Sequence, residues 1–232
     1  MSSYLFDTPK VQSIPVQGED KQYPINRIFC VGRNYAAHAA EMGVEVDREA
    51  PFYFTKSPSA NLASGSTIPY PLGTSNYHYE MELVLVIGKP AFRVSKDEAA
   101  DKIYAYGCGL DMTRRDLQLA ARAKQRPWDL GKDVEDSAVF APLTKAAEFG
   151  EVGPQRIHLE VNGELKQDAH LSDLIHNVYE VVADLSKYYH LVPGDVIMTG
   201  TPAGVGPVVS GDKITGGVDG LAPIALTIGD PE

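Results

Sequence analysis

Residues 78–88, HYEMELVLVIG, constrain the fold of this chain more than any other stretch, because only an extended strand sorts them into two consistent faces. Tyr79, Met81, Leu83, Leu85 and Ile87 then share one face, and His78, Glu80, Glu82 and Val84 share the other. The second face carries two carboxylates two positions apart. Like charges so placed repel each other unless solvent, protonation or a cation relieves them. A half-exposed strand turned to water is the ordinary explanation, and a hard divalent ion is the other. Asp111 favours the ion: it ends a second apolar, glycine-containing run, YGCGLD, where a carboxylate serving only solubility is out of place. Three carboxylates, with positions left for water and substrate oxygens, suit Mg²⁺ or Mn²⁺ better than Zn²⁺, which takes His and Cys.

Around this strand the chain reads as strand-rich. Residues 1–24 hold Pro9, Pro15 and Pro24 and no helical period, so they predict an extended arm or hairpin packed on a main domain of residues 25–232. Arg27–Gly32 reads as a buried strand. Asn34 is then placed to cap a short helix through Ala36 to Met42, stopped by Gly43, which at about two turns depends on tertiary contacts and suits a lid. Pro51–Lys56 predicts a strand, Asn61–Tyr77 a loop with edge pieces, and Glu98–Tyr106 a helix leading into a strand that ends near Asp111. Thr113 and Asp116 resemble a capping box for a helix through Ala123. Asn162-Gly163, between two strand-like runs, predicts a tight hairpin. Ser172–Tyr189 predicts an amphipathic helix with Leu174, Val178, Val181, Leu185 and Tyr189 near one stripe. Strands and helices do not alternate regularly, which points to a mixed, strand-rich α+β fold rather than a doubly wound sheet.

Charge narrows the partners. A formal net charge of −10 over 232 residues argues against nucleic acid or an anionic membrane as partner, since both require a cationic footprint. Met1–Lys10 has no apolar core of signal-peptide length, and runs such as Leu83–Ile87 are too short to span a bilayer, so a cytoplasmic location is expected. Cys30 and Cys108 lie inside apolar runs and read as buried, reduced thiols. The loop TGTPAGVGP lacks the Gly-Lys-Ser/Thr ending of a phosphate loop and carries two prolines, which excludes nucleotide binding.

Two further groups carry chemistry. His38 and Glu41, three apart on the short helix, share a face, so the carboxylate can orient the imidazole and raise its basicity; a surface ion pair is the plainer alternative. Lys132, in DLGKD, reads either as a ligand for a substrate carboxylate or as a solvated lysine.

Taken in order, CVGRNYAAHAAEMG, HYEMELVLVIGK, GLDMTRRDLQ, RPWDLGK, VNGELKQ, PGDVIMTGTPAGVGP and GGVDGL resemble the fumarylacetoacetate hydrolase family, nearly throughout the chain from Arg27 onward. Within that family the chain is most similar to short bacterial fumarylpyruvate hydrolases and acylpyruvases. The resemblance implies the family's mixed β-roll of layered sheets, assembled as a homodimer. It implies that Glu80, Glu82 and Asp111 hold the metal, that His38 and Glu41 form the catalytic dyad of a lid, and that Lys132 takes part in catalysis. It places Gln118 and Thr201 against the substrate, and Arg33 in the GRNY turn near the site. The activity implied is metal-dependent hydrolysis of a carbon–carbon bond in a 2,4-diketo acid, in gentisate-type aromatic catabolism. Decarboxylation of oxaloacetate, or isomerisation of an enol diacid, at the same metal-enolate site is the alternative within catalysis. A non-catalytic metal-binding protein is the alternative outside it. Two departures fall in this chain: relatives continue the lysine motif with Phe-Asp where this sequence reads KDVEDSAVFAP, and their Lys-Pro is split here into Lys56-Ser57-Pro58. A diacid substrate needs a second cationic anchor besides the metal. Arg115 and its neighbour Arg114 are the nearest candidates, with Arg33 and Arg126 further off, and only one of the adjacent pair can face a pocket.

Overall fold

A computed structural model describes residues 4–43 and 48–232. Its centre is an eight-stranded sheet in which Met81–Ile87 lies between Asp195–Met198 and Ile103–Asp111, both antiparallel to it. Arg27–Gly32 and Phe52–Lys56 extend the sheet on one side, and Ala138–Phe140 and Asn61–Ala63 on the other. A five-stranded sheet, ordered Glu164–His170, Arg156–Val161, Lys213–Val218, Ile224–Gly229 and Ser66–Pro69, packs over one face. This is the curled, layered, strand-rich α+β architecture that the sequence implies. No helix among the described residues is long and apolar enough to cross a membrane.

The alternation in residues 79–87 explains the layering. Tyr79, Met81, Leu83, Leu85 and Ile87 enter the core between the two sheets, beside Ile157, Leu159, Ile214 and Leu226. Val84 and Val86 point the other way into a second core with Ile28, Cys30, Val196 and Met198. The N-terminal arm completes that second core: Ser13–Pro15 and Gln22–Pro24 form a hairpin that buries Ile14, Val16 and Tyr23 in it. Both cysteines are free and fully buried.

Several local expectations change. The strand read as continuous is broken at Glu80, where Tyr77–Tyr79 belongs to a separate three-stranded sheet with Thr113–Arg114 and Gly206–Val208. The short helix spans Ala36–Glu41, but Asn34 does not cap it; Tyr35 occupies the cap position without a side-chain bond. Asn34 instead donates to the carbonyls of His176 and Thr199 and accepts from the His176 N–H, a tertiary clasp invisible to local capping logic. Thr113 and Asp116 form no capping box. The helix Arg115–Ala123 begins after Arg114, and Asp116 accepts from Thr74 and Ser75. A helix of Lys96–Ala99, capped by Ser95, precedes a strand that already starts at Ile103. The helix expected from Ser172 begins only at Val178, where Asn177 and Glu180 make a reciprocal capping box, and it ends at Leu185. The Asn162-Gly163 turn holds, with both residues at positive φ, 54° and 80°, as its tight hairpin requires.

Candidate active site

Strand register assembles the carboxylates. Glu82 pairs with Gly109 and Met81 with Leu110, and the Asp111 N–H donates to the Glu80 carbonyl at 2.9 Å, so Asp111 sits across from Glu80. Cross-strand partners share a face, and Glu80 and Glu82 share one by period two. All three carboxylates therefore converge. They offer oxygens within 4.8 Å of one another, and each residue is buried.

Three cations surround them. Lys132 Nζ donates to Glu80 Oε2 at 2.7 Å and Asp111 Oδ2 at 2.6 Å. Arg115 pairs with Glu80 and with Gln118 Oε1. Lys56 Nζ lies 2.9 Å from Asp111 Oδ1 and donates to Ser137 Oγ at 2.8 Å and to the Met112 carbonyl at 3.1 Å. Burial works against the charge of Glu80, but Lys132 and Arg115 overcome it and hold the carboxyl below the usual range. Burial also pulls the Lys132 ammonium down, yet Asp111 and Glu80 keep it raised, so Lys132 is a charged donor and not a base. Glu82 differs. Its directed partner among the described residues is the Gly200 N–H at 2.7 Å, and burial together with the charges of Asp111 and Glu80 pushes its carboxyl well above the ordinary value.

These features fit a divalent ion. Among the described residues Glu82 faces two carboxylates without an ion-pair partner of its own, and Asp111 Oδ1 accepts no well-aligned hydrogen bond despite the nearby Lys56. The donor set is entirely hard oxygen, as Mg²⁺ and Mn²⁺ require.

The short helix Ala36–Glu41 lies over this floor. His38 is buried, and its Nδ1 lies 3.2 Å from Glu41 Oε2, leaving Nε2 as the atom to face a substrate. Glu41 accepts in turn from the Gly204 N–H at 3.2 Å, which docks the helix on the loop after Thr201. Gly204 has φ +96°, and a Cβ there would stand 2.0 Å from the Lys166 carbonyl oxygen, so only glycine permits this docking. Thr201 is buried and its hydroxyl accepts from Gln167 Nε2 at 2.8 Å, while Gln167 Oε1 holds the Met81 N–H at 3.0 Å. Lys132 follows Gly131, where a Cβ would meet the Gln118 backbone nitrogen at 2.8 Å; the missing side chain lets the short Asp129–Lys132 helix press against the helix carrying Gln118.

Of the residues expected at the site, Arg33, His38, Glu80, Glu82, Arg115, Gln118, Lys132 and Thr201 line the well directly, Asp111 lies beneath, and Glu41 contacts His38. Arg115 faces the well and Arg114 faces a separate cavity beside Tyr77 and Asp136. Arg115, however, commits its guanidinium to Glu80 and Gln118 rather than standing free. Lys132 is not solvated: two of its three N–H donors bridge two carboxylates. Lys56 was missed. Its signal was a lysine closing the apolar run FYFTK, a position where a solvated lysine is unexpected. Arg122, Trp128 and Phe54 were missed as well, and no local pattern marks them.

A curled β-fold with a buried tricarboxylate floor beneath a histidine-bearing helix defines a metal-dependent enzyme site. The chain belongs to the fumarylacetoacetate hydrolase family: the model of the fumarylacetoacetate (FAA) hydrolase C-terminal region matches residues 27–229. It is 59% identical over 194 residues to a fumarylpyruvate hydrolase of Ralstonia sp, covering 82% of this chain and 100% of that protein. It is 40% identical over 202 residues to the mitochondrial oxaloacetate tautomerase of Arabidopsis thaliana, covering 87% and 90%. The crystal structure of fumarylpyruvate hydrolase from Pseudomonas aeruginosa in complex with Mn²⁺ and pyruvate superposes with a TM-score of 0.94 at 43% identity, covering 98% of this chain and 100% of that one.

Proposed function

We propose that this chain is a divalent-metal-dependent hydrolase that cleaves a carbon–carbon bond in an acylpyruvate, converting fumarylpyruvate to fumarate and pyruvate in the catabolism of aromatic compounds. The observation that carries this reading is the convergence of Glu80, Glu82 and Asp111 beneath an imidazole already oriented by a carboxylate. The relative that is 59% identical supports the choice of substrate.

Glu80, Glu82 and Asp111 would hold a divalent cation, which when bound would supply positive charge that stabilises the developing enolate. His38, fixed through Nδ1 by Glu41, takes a proton from water at Nε2. The water oxygen adds to the distal carbonyl, the bond from that carbon to the methylene breaks, and its electron pair becomes the pyruvate enolate. The proton on His38 then passes to the methylene carbon, and the acyl group leaves as a carboxylic acid, which gives its proton to solvent to become the carboxylate. Lys132 and Gln118 donate to oxygens that gain charge, and Arg115 holds Glu80 and Gln118 in place. Thr201 faces the substrate carboxylate, with its hydroxyl oriented by Gln167.

The similarity to an oxaloacetate tautomerase favours one second reading, enol–keto interconversion or decarboxylation of oxaloacetate on the same floor without attack by water. Metal-loaded protein given fumarylpyruvate, acetylpyruvate and oxaloacetate separates the two. Loss of diketo-enol absorbance with equimolar fumarate and pyruvate supports the hydrolase, and turnover of oxaloacetate alone overturns it. We further propose a cytoplasmic homodimer in which residues 1–24 form an arm on a catalytic domain of 25–232. The family resemblance supports the dimer, and light scattering tests it.

A further inference from the structure

The well above the carboxylates has a cavity volume of about 40 Å³, too small to take a whole diketo acid. A chamber of about 470 Å³ adjoins it, and Arg33, Phe54, Arg122, Trp128 and Lys132 line both. A diketo acid with its head in the well must therefore extend its acyl tail through this chamber.

The chamber wall has two parts. Phe52, Phe54 and Trp128 pack together, with Trp128 5.1 Å from Phe52 and 5.9 Å from Phe54 between ring centroids. Against them stand Arg33, Arg122 and Arg126, with Asp129 as the acidic lining residue. Among the described residues none of these arginines forms an ion pair with a carboxylate. The Arg33 guanidinium lies over the rings of Phe52 and Trp128, at 5.8 Å and 6.0 Å from their centroids. Arg122 makes one long contact, 3.4 Å to the Met42 carbonyl. Burial and the charge of Arg122 both hold the Arg33 guanidinium below its ordinary value, as expected of two neighbouring cations without an anion. In a chain of net charge −10, this concentration of unpaired positive charge at the substrate's exit is local and specific. Arg33 and Arg122 stand at the neck, since they line both well and chamber; Arg126 lines the chamber alone.

We propose that Arg33 and Arg122 seat the distal carboxylate of a dicarboxylic acylpyruvate, while the packed rings of Trp128 and Phe52 line one side of its planar unsaturated chain, making the site selective for acyl groups that end in a carboxylate. This rests on the acylpyruvate hydrolase reading and assigns its specificity to residues other than Arg115. A guanidinium pair meets a carboxylate with forked donors, which a methyl-terminated acyl group cannot use.

Arg122 is the residue to change, because Arg33 sits at φ 61°, where substitution disturbs the backbone as well. In Mg²⁺-loaded protein, Arg122→Met is expected to lower the ratio of kcat/KM for fumarylpyruvate over acetylpyruvate at least tenfold, chiefly through KM for the diacid. Arg122→Lys, which keeps charge but loses the fork, is expected to fall between. Fumarate and crotonate binding, measured by calorimetry on the same proteins, reads the anchor without turnover: wild type should prefer fumarate, and Arg122→Met should lose that preference. If wild type cleaves neither acylpyruvate, the reaction is misassigned, and the fumarate comparison still decides the anchor. An unchanged ratio in folded Arg122→Met, loss of the ratio through Arg126→Met instead, or no fumarate preference in wild type overturns the proposal.

Discussion

Glu82→Gln separates the metal's contribution from that of the fold. In the metal-free protein Glu82 is buried beside Glu80 and Asp111 with a backbone N–H as its directed partner, so its charge is a cost. A glutamine is of similar size and its carbonyl can still accept the Gly200 N–H that Glu82 holds at 2.7 Å, so the variant removes charge and little else. The sign follows from the direction of the shift. The carboxyl is raised on folding, so the penalty is absent below the ordinary carboxyl value, grows as pH rises from there, and is full above the raised folded value. At neutral pH and without metal, Glu82→Gln should therefore melt at or above wild type. With metal the order reverses. A ligand at 100 times its Kd stabilises by about 2.7 kcal/mol, and at about 2–4 °C per kcal/mol for a domain of this size wild type should gain about 5–11 °C from Mg²⁺ or Mn²⁺. The variant should gain little. Differential scanning fluorimetry with and without chelator at several pH values gives both numbers. An equal metal-induced shift in wild type and variant would refute the ligand assignment, and a strongly destabilised metal-free variant would refute the electrostatic argument.

Three other outcomes are expected. His38→Ala should lower turnover by about 10²- to 10⁴-fold, the range for losing a general base, while keeping the full metal-induced melting shift; loss of that shift would make His38 a ligand. Lys56→Met should destabilise the metal-free protein by about 3–5 kcal/mol, the cost of removing one partner from a buried ion pair, and a denaturant titration showing under 1 kcal/mol would contradict the buried Lys56–Asp111 contact. Burial pushes the Cys108 thiol up to about 12 and the Cys30 thiol well above its ordinary value, so at pH 8 neither should react with a thiol reagent until the protein unfolds; rapid labelling of either would contradict the packing of the two cores.

What could be read from the sequence follows from the range of the forces involved. Period two placed Glu80 and Glu82 on one face and five apolar side chains on the other, because strand alternation is a property of the backbone itself. Asp111 was legible as an acid closing an apolar run, and the strand register sets it against Glu80. The Asn162-Gly163 turn was legible because its dihedrals are local. Asn34 misled, since its side chain bonds partners more than 140 residues away where a cap would act within its own helix. The helix at Val178 carries its true signal in the NVYE box, which the longer apolar stripe from Leu174 obscured. The meeting of Arg33 and Arg122 arises from a strand end and a helix facing each other across the well, and only tertiary packing produces it.

The account turns on one reaction at one metal site, and a single measurement addresses both: fumarylpyruvate turnover by purified protein in excess chelator, then after adding Mg²⁺ or Mn²⁺, with products identified. No turnover in chelator, and equimolar fumarate and pyruvate once metal is restored, is the result expected from Glu80, Glu82 and Asp111 acting as a metal floor. Full turnover in chelator, or consumption of fumarylpyruvate without its splitting into fumarate and pyruvate, would contradict it.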